Sequence, residues 1–189
     1  MKPPSKLELE RVAVVGSSCS GKTRFAASLA GVLGAPHVEL DAIHWRPSWE
    51  PRPAADFRNL VEQAVSRDRW VVDGNYATVR DLVWSRATAV VWLNYPFWLV
   101  FPRAVSRTIR RVITQEKLYS GNTESFRQVF LSKDSILLWV LTSFRRRQRD
   151  YAALRESGRF QQIRFWELRR PAEASILLSS VEATGEADD

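Results

Sequence analysis

A chain of 189 residues with 45% hydrophobic and 26% charged residues is long enough for one domain with a substantial core, and its composition excludes wholesale disorder. The formal charge of +7 fits a nucleic acid, an anionic membrane or phosphorylated small molecules without choosing among them. A lone cysteine, Cys19, excludes an internal disulfide and with it a disulfide-stapled secreted scaffold.

Strand-like and helix-like segments alternate, which is the pattern of an α/β protein with a mainly parallel sheet. Arg11–Val15 reads as a first buried strand. Lys22–Leu33 follows as a helix with Phe25, Ala26, Leu29, Ala30 and Leu33 on one face, stopped at Gly34. His37–Leu40 is a second strand running into a Trp- and Pro-rich loop, Asp41–Arg52. Pro53–Arg67 has helical spacing, with Phe57, Leu60, Val61, Ala64 and Val65 in register. Trp70–Asp73 and Ala87–Leu93 are the third and fourth strands. Phe97–Ile113 and Ser125–Arg149 are long helical patterns around a polar break, Tyr119–Glu124, and Ser125 with Gln128 would form a capping box. Gln162–Phe165 is a fifth strand, Ala172–Val181 a closing helix, and Glu182–Asp189 an acidic tail expected to fray. The start of the chain is polar and proline-bearing, without a signal-peptide core. The apolar runs 90–101 and 136–144 fall short of the about 20 residues that span a bilayer. The reading is a soluble, cytoplasmic protein with no membrane partner.

Gly16-Ser17-Ser18-Cys19-Ser20-Gly21-Lys22-Thr23 matches G-x-x-x-x-G-K-[ST] at every fixed position, between a strand and an amphipathic helix. The chemistry needs these residue types. Backbone N–H groups turn inward around a β-phosphate, Lys22 neutralises the β- and γ-phosphates, and Thr23 offers a hydroxyl to Mg²⁺. ATP and Mg²⁺ are the expected cofactors. Cys19 stands at a variable position of the loop, as a small filler or as a thiol activated by a helix N-terminus.

Ligands of open α/β sheets bind at the carboxyl ends of the strands, which singles out Asp41, His44 and Trp45 after strand two and Asp73 and Asn75 after strand three. Asp73 would hold Mg²⁺ through water, and Asp41 would orient an acceptor hydroxyl or take its proton. Each is also an acceptable turn residue, and His44 suits packing as well as substrate contact. Trp45 and Trp49 are open to stacking on a base or sugar, or to packing. Trp70, Trp84, Trp92, Trp98, Trp139 and Trp166 are assigned to core or interface. On the helix from Phe97, a stripe of Arg103, Arg107, Arg110 and Arg111 lies opposite Phe101, Val105, Ile109 and Val112. That stripe is either a solvated face or a set of guanidiniums closing over transferring phosphates. Arg107 and Arg111 are its candidates for the second role. Arg145, Arg146, Arg147 and Arg149 form another cluster, from which Arg147 is the candidate. Tyr119-Ser120-Gly121-Asn122 reads as a hinged lid.

With these residues assembled, the chain resembles the adenylate-kinase-like P-loop kinases, the group of nucleoside-monophosphate and shikimate kinases. It is closest to the bacterial branch often labelled topology modulation protein. The motifs are the GSSCSGKT loop, Leu40-Asp41-Ala42-Ile43-His44-Trp45, Val72-Asp73-Gly74-Asn75-Tyr76 with Arg80, the Arg-rich helix, Gly121-Asn122, and Ser135-Ile136-Leu137-Leu138-Trp139. The resemblance implies one three-layer domain with a five-stranded parallel sheet in the order 2-3-1-4-5, helices on both faces and a short helical lid. The ordered core would span about 11–181, the substrate-binding segment about 41–68, the lid about 107–125 and the acidic tail 182–189. It also implies that Arg80 helps hold the acceptor and that Arg169 and Pro171 lie near the adenine. The Asp-Gly-Phe-Pro-Arg run of adenylate kinases is replaced here by Asp-Gly-Asn-Tyr. The expected activity is transfer of the γ-phosphoryl of ATP to a small acceptor by a monomer or homodimer. The alternative is a nucleotide-dependent regulator that binds nucleic acid. A GTPase switch is disfavoured because no Asn-Lys-x-Asp run occurs.

Overall fold

The computed structural model describes residues 6–123 and 136–186, with side chains from 8 to 123 and from 142 to 184. The proposed Ser125–Gln128 capping box and the side chain of Trp139 lie outside the described residues. Five parallel strands form one sheet: β1 (Arg11–Gly16), β2 (His37–Glu39), β3 (Trp70–Asp73), β4 (Ala89–Leu93) and β5 (Arg164–Leu168). Their order is β2-β3-β1-β4-β5, as the resemblance implied. The helices among the described residues are α1 (Lys22–Leu33), α2 (Leu40–His44), α3 (Ala54–Ala64), α4 (Arg80–Arg86), α5 (Phe97–Thr114), α6 (Ile136–Glu156) and α7 (Pro171–Glu186).

Successive strand residues point to opposite faces, and helices cover both, so the central strands read as unbroken apolar runs. On one face Val12, Val14, Val71, Val91 and Leu168 pack with Phe25 and Leu29 of α1, Ala104 of α5 and Leu177 of α7. On the other, Ala13, Val15, Val72, Val90 and Trp92 pack with Phe57 and Val61 of α3, Val83 and Trp84 of α4, and Tyr151 of α6. Each fully buried aliphatic or aromatic side chain contributes about 1.5–3 kcal/mol. The five α1 residues expected on one face are the five that are buried. Gly34 closes α1 in a left-handed conformation (φ 59°), and the Ala35 N–H returns to the Ala30 carbonyl at 2.9 Å. No helix among the described residues is long and apolar enough to cross a membrane.

Several boundaries differ from the sequence expectation. The fifth strand is Arg164–Leu168, not Gln162–Phe165. Register with β4 pairs Ala89 with Arg164 and Leu93 with Leu168, so burial of Trp166 and Leu168 fixes the strand. Leu40–His44 is a short helix, not the start of a loop, and α4 went unanticipated because seven residues carry too little periodicity. The closing helix runs on to Glu186, so Glu182 and Glu186 are helical, not frayed. Trp70, Trp84, Trp92 and Trp166 are buried as expected, whereas Trp98 is 73% exposed. On α5 the buried stripe is Val100, Ala104 and Thr108. Beside this stripe Arg111 is partly buried and Arg107 exposed, while Phe101, Val105, Ile109 and Ile113 line an open groove.

Candidate phosphate and acceptor site

β1 delivers Gly16 to a loop whose first residue must be glycine. Gly16 has φ 156°, and a β-carbon there would lie 2.8 Å from the Leu93 carbonyl oxygen and from Ser20 Oγ. Cys19 and Gly21 are both left-handed, at φ 64° and 91°. No side chain caps the start of α1, so its first N–H groups point into the loop with the positive end of the helix dipole behind them. Ser20 Oγ is buried there without a hydrogen-bond partner. A phosphate would satisfy these donors, so the residues fit the nucleotide the motif implies.

Asp73 ends β3 with 1% of its surface exposed. Its Oδ1 accepts from the Thr23 hydroxyl at 3.3 Å and its Oδ2 faces His37 Nε2 at 2.9 Å. A hydroxyl beside a carboxylate at the mouth of the loop is an oxygen donor set suited to Mg²⁺. Asn75 does not face the acceptor side with free groups. Its Nδ2 donates to the Gly16 carbonyl at 2.6 Å, and its Oδ1 accepts from Gly16 N–H at 3.3 Å and from the Tyr151 hydroxyl at 2.7 Å. It buttresses the first residue of the loop.

Beyond β2, Asp41 lies in the first turn of α2, and its Oδ1 accepts from the Tyr76 hydroxyl at 2.6 Å. Burial, then the charge of Asp41, pushes the Tyr76 hydroxyl far up, so it stays a donor. His44 sits among the rings of Trp45, Phe57 and Tyr76 at 4.6–5.0 Å, and its Nδ1 is buried without a partner. Burial lowers its pKa against the pull of Asp41. The Arg80 guanidinium lies 5.8 Å from the ring centres of Trp84 and Tyr151. Arg147, half-buried on α6, opposes through its charge the rise that burial imposes on the Tyr151 hydroxyl. Burial is the main force lowering the Arg147 pKa, Arg146 and Arg80 add to it, and Tyr151 and Asp41 oppose it. Asp41, Arg80 and Arg147 therefore share one electrostatic neighbourhood.

The segment after α5 crosses to the loop after β2. Ser120 Oγ donates to the Trp45 carbonyl at 2.7 Å and Asn122 Nδ2 to the Arg46 carbonyl at 2.9 Å. Trp49 returns two bonds at 3.1 Å, its N–H to Asn122 Oδ1 and its Nε1 to the Thr123 carbonyl. Trp45 and Trp49 meet edge to face at 5.6 Å. Tyr119 lies on the same strap, and burial first, then the charges of Asp41, Glu39 and Asp73, pushes its hydroxyl up. From the arginine stripe, Arg107 donates to Cys19 Sγ at 3.7 Å, and Arg111, 13% exposed, lies 4.0 Å from Glu116. Arg169 instead pairs with Glu167 at 2.9 Å.

Sequence reasoning missed His37, Glu39 and Tyr151, and named Tyr119 only as part of the lid. Glu39 carried the signal used for Asp41, a carboxylate at a strand end. His37, two residues earlier on the same strand, was discoverable from its register beside β3, where it pairs with Val71 and Glu39 pairs with Asp73. Nothing local marked Tyr151.

A parallel sheet in this order, with a Gly-Lys-Thr loop at the end of its central strand, is the α/β P-loop fold. No protein-family model matches the chain, and no curated protein matches it. Among solved structures, a gluconokinase from Sinorhizobium meliloti 1021 is 18% identical, with 94% of this chain and 92% of that chain covered and a TM-score of 0.50. A shikimate kinase from Acinetobacter baumannii in complex with shikimate is 17% identical, covering 96% and 95%, with a TM-score of 0.51. The shikimate kinase of Aquifex aeolicus is 12% identical, covering 94% and 97%, with a TM-score of 0.52. At such identity the likeness is one of fold.

Proposed function

We propose that this chain is an ATP- and Mg²⁺-dependent kinase of the adenylate-kinase-like group, on the topology modulation branch that its motifs resemble. Its acceptor would be a small hydroxyl compound bearing an anionic group. The observation that carries the reading is the pair of carboxylates at neighbouring strand ends, Asp41 held by the Tyr76 hydroxyl at 2.6 Å and Asp73 beside the Thr23 hydroxyl at 3.3 Å, next to the phosphate loop.

In this reading the N–H groups of Gly16–Thr23 bind the β-phosphate, and Lys22 neutralises charge towards the γ-phosphate. Thr23, and Asp73 through water, would hold Mg²⁺, which would supply further charge neutralisation. Tyr76 holds one oxygen of Asp41, leaving the other to orient the acceptor hydroxyl and accept its proton. The acceptor oxygen bonds to the γ-phosphorus as the bond to the ADP oxygen breaks. Arg80 and Arg147 clamp the anionic group of the acceptor, Trp45 and His44 wall the pocket, and Arg107 and Arg111 close over the phosphates. Asn75 contributes through Gly16, and Arg169 borders the adenine from the end of β5.

The test is a screen of hydroxyl acids, sugars acids and nucleotides with ATP and Mg²⁺, shikimate and gluconate first, beside Lys22→Ala. Asp41→Asn should lower kcat by about 10²–10⁴-fold with ATP affinity unchanged. If no acceptor raises ADP release above the Lys22→Ala level, the kinase reading is wrong.

A further inference from the structure

Asp73 is unusual among the carboxylates of the site in having both oxygens engaged by protein groups while only 1% exposed. Thr23 takes Oδ1 at 3.3 Å and His37 takes Oδ2 at 2.9 Å. An ionised carboxylate only accepts, so Nε2 of His37 carries the proton and donates. His37 stands at the start of β2, 18% exposed, one diagonal step from Asp73 across the β2–β3 ladder. A carboxylate bonded on one oxygen loses its freedom to rotate, and its other oxygen is then aimed at the Thr23 hydroxyl. Groups that orient a ligand in this way alter metal affinity without touching the metal.

We propose that His37 is a positioning residue for the divalent metal bound with the nucleotide: by holding Oδ2 of Asp73 it sets how much Mg²⁺ nucleotide binding requires. The inference rests on the reading of Thr23 and Asp73 as the pair that holds Mg²⁺. It differs from a plain strand-anchoring role, which would alter stability and leave the Mg²⁺ requirement alone.

The experiment is calorimetric titration of the full chain with a β,γ-imido analogue of ATP, in EDTA and across a Mg²⁺ series. Wild type should bind more tightly as Mg²⁺ rises. His37→Phe should need about 10–100-fold more Mg²⁺ for the same tightening, with affinity in EDTA unchanged. His37→Gln, which keeps an N–H donor, should recover most of the difference. A Mg²⁺ requirement in His37→Phe equal to that of wild type would overturn the proposal, as would an equal loss of binding in EDTA. If wild type binds the analogue without responding to Mg²⁺ while Lys22→Ala does not bind, the metal reading of Thr23 and Asp73 fails and the inference goes with it. If wild type does not bind the analogue, the nucleotide reading itself is wrong.

Discussion

Gly74 leaves β3 at φ 142°, and a β-carbon added there would lie 2.7 Å from Leu40 Cβ. Gly74→Ala therefore combines backbone strain of about 1–3 kcal/mol with overpacking of similar size, and urea unfolding should register the loss. The site would suffer too, because Asp73 and Asn75 flank the displaced residue. His44 makes a different kind of prediction. Its folded pKa lies below the model-peptide value of 6.5, chiefly through burial, so the unfolded chain takes up the proton first as pH falls. Stability held at pH 7 is then lost progressively below about pH 6.5. In His44→Phe the midpoint of urea unfolding should vary less between pH 7 and pH 5 than in wild type.

At the scale of elements, the strap over residues 45–49 is held by short-range polar contacts between segments more than 70 residues apart. Asn122, 6% exposed, makes two of them. The partner loop is strained, with Ser48 and Trp49 both left-handed at φ 64° and 58°. Asn122→Ala should release that strain, and hydrogen exchange at the Trp49 amide should accelerate about 5- to 150-fold, corresponding to the about 1–3 kcal/mol cost of unpairing a buried polar group. An unchanged Trp49 exchange rate would count against the strap as the restraint on this loop. The difference between what was and was not legible follows the same division. The Gly16–Thr23 loop and the buried face of α1 are written in contiguous spacing, and so were read with their boundaries. β5 carries Arg164 and Glu167 among its apolar residues, and the charges masked its alternation. The Asn122–Trp49 and Asn75–Gly16 contacts depend on tertiary placement that no local pattern encodes. Asn75, expected at the acceptor from its place at a strand end, turns its amide to Gly16 and Tyr151, and no local pattern encodes which way it turns.

For the whole molecule, the sheet separates two apolar cores that share no residue. Leu29→Ala on one face should cost about 2–5 kcal/mol and Ile163→Val on the other about 0.5–1.5 kcal/mol. The double variant should lose their sum to within about 0.5 kcal/mol, since the two side chains belong to separate buried clusters on opposite faces of the sheet. A larger departure in urea unfolding would mean that the sheet transmits strain between its faces. The order of the strands has one more effect, at the sheet's outer margins. β2 is only three residues long. β5, at the opposite margin, is flanked by ion pairs of Arg164 with Glu8 and of Glu167 with Arg155 and Arg169, at 2.8–3.0 Å. Short or charge-guarded margins are poor templates for another chain's backbone. The sheet thus resists growth by strand addition, and a concentrated solution of the folded protein should not seed cross-β fibres from either side.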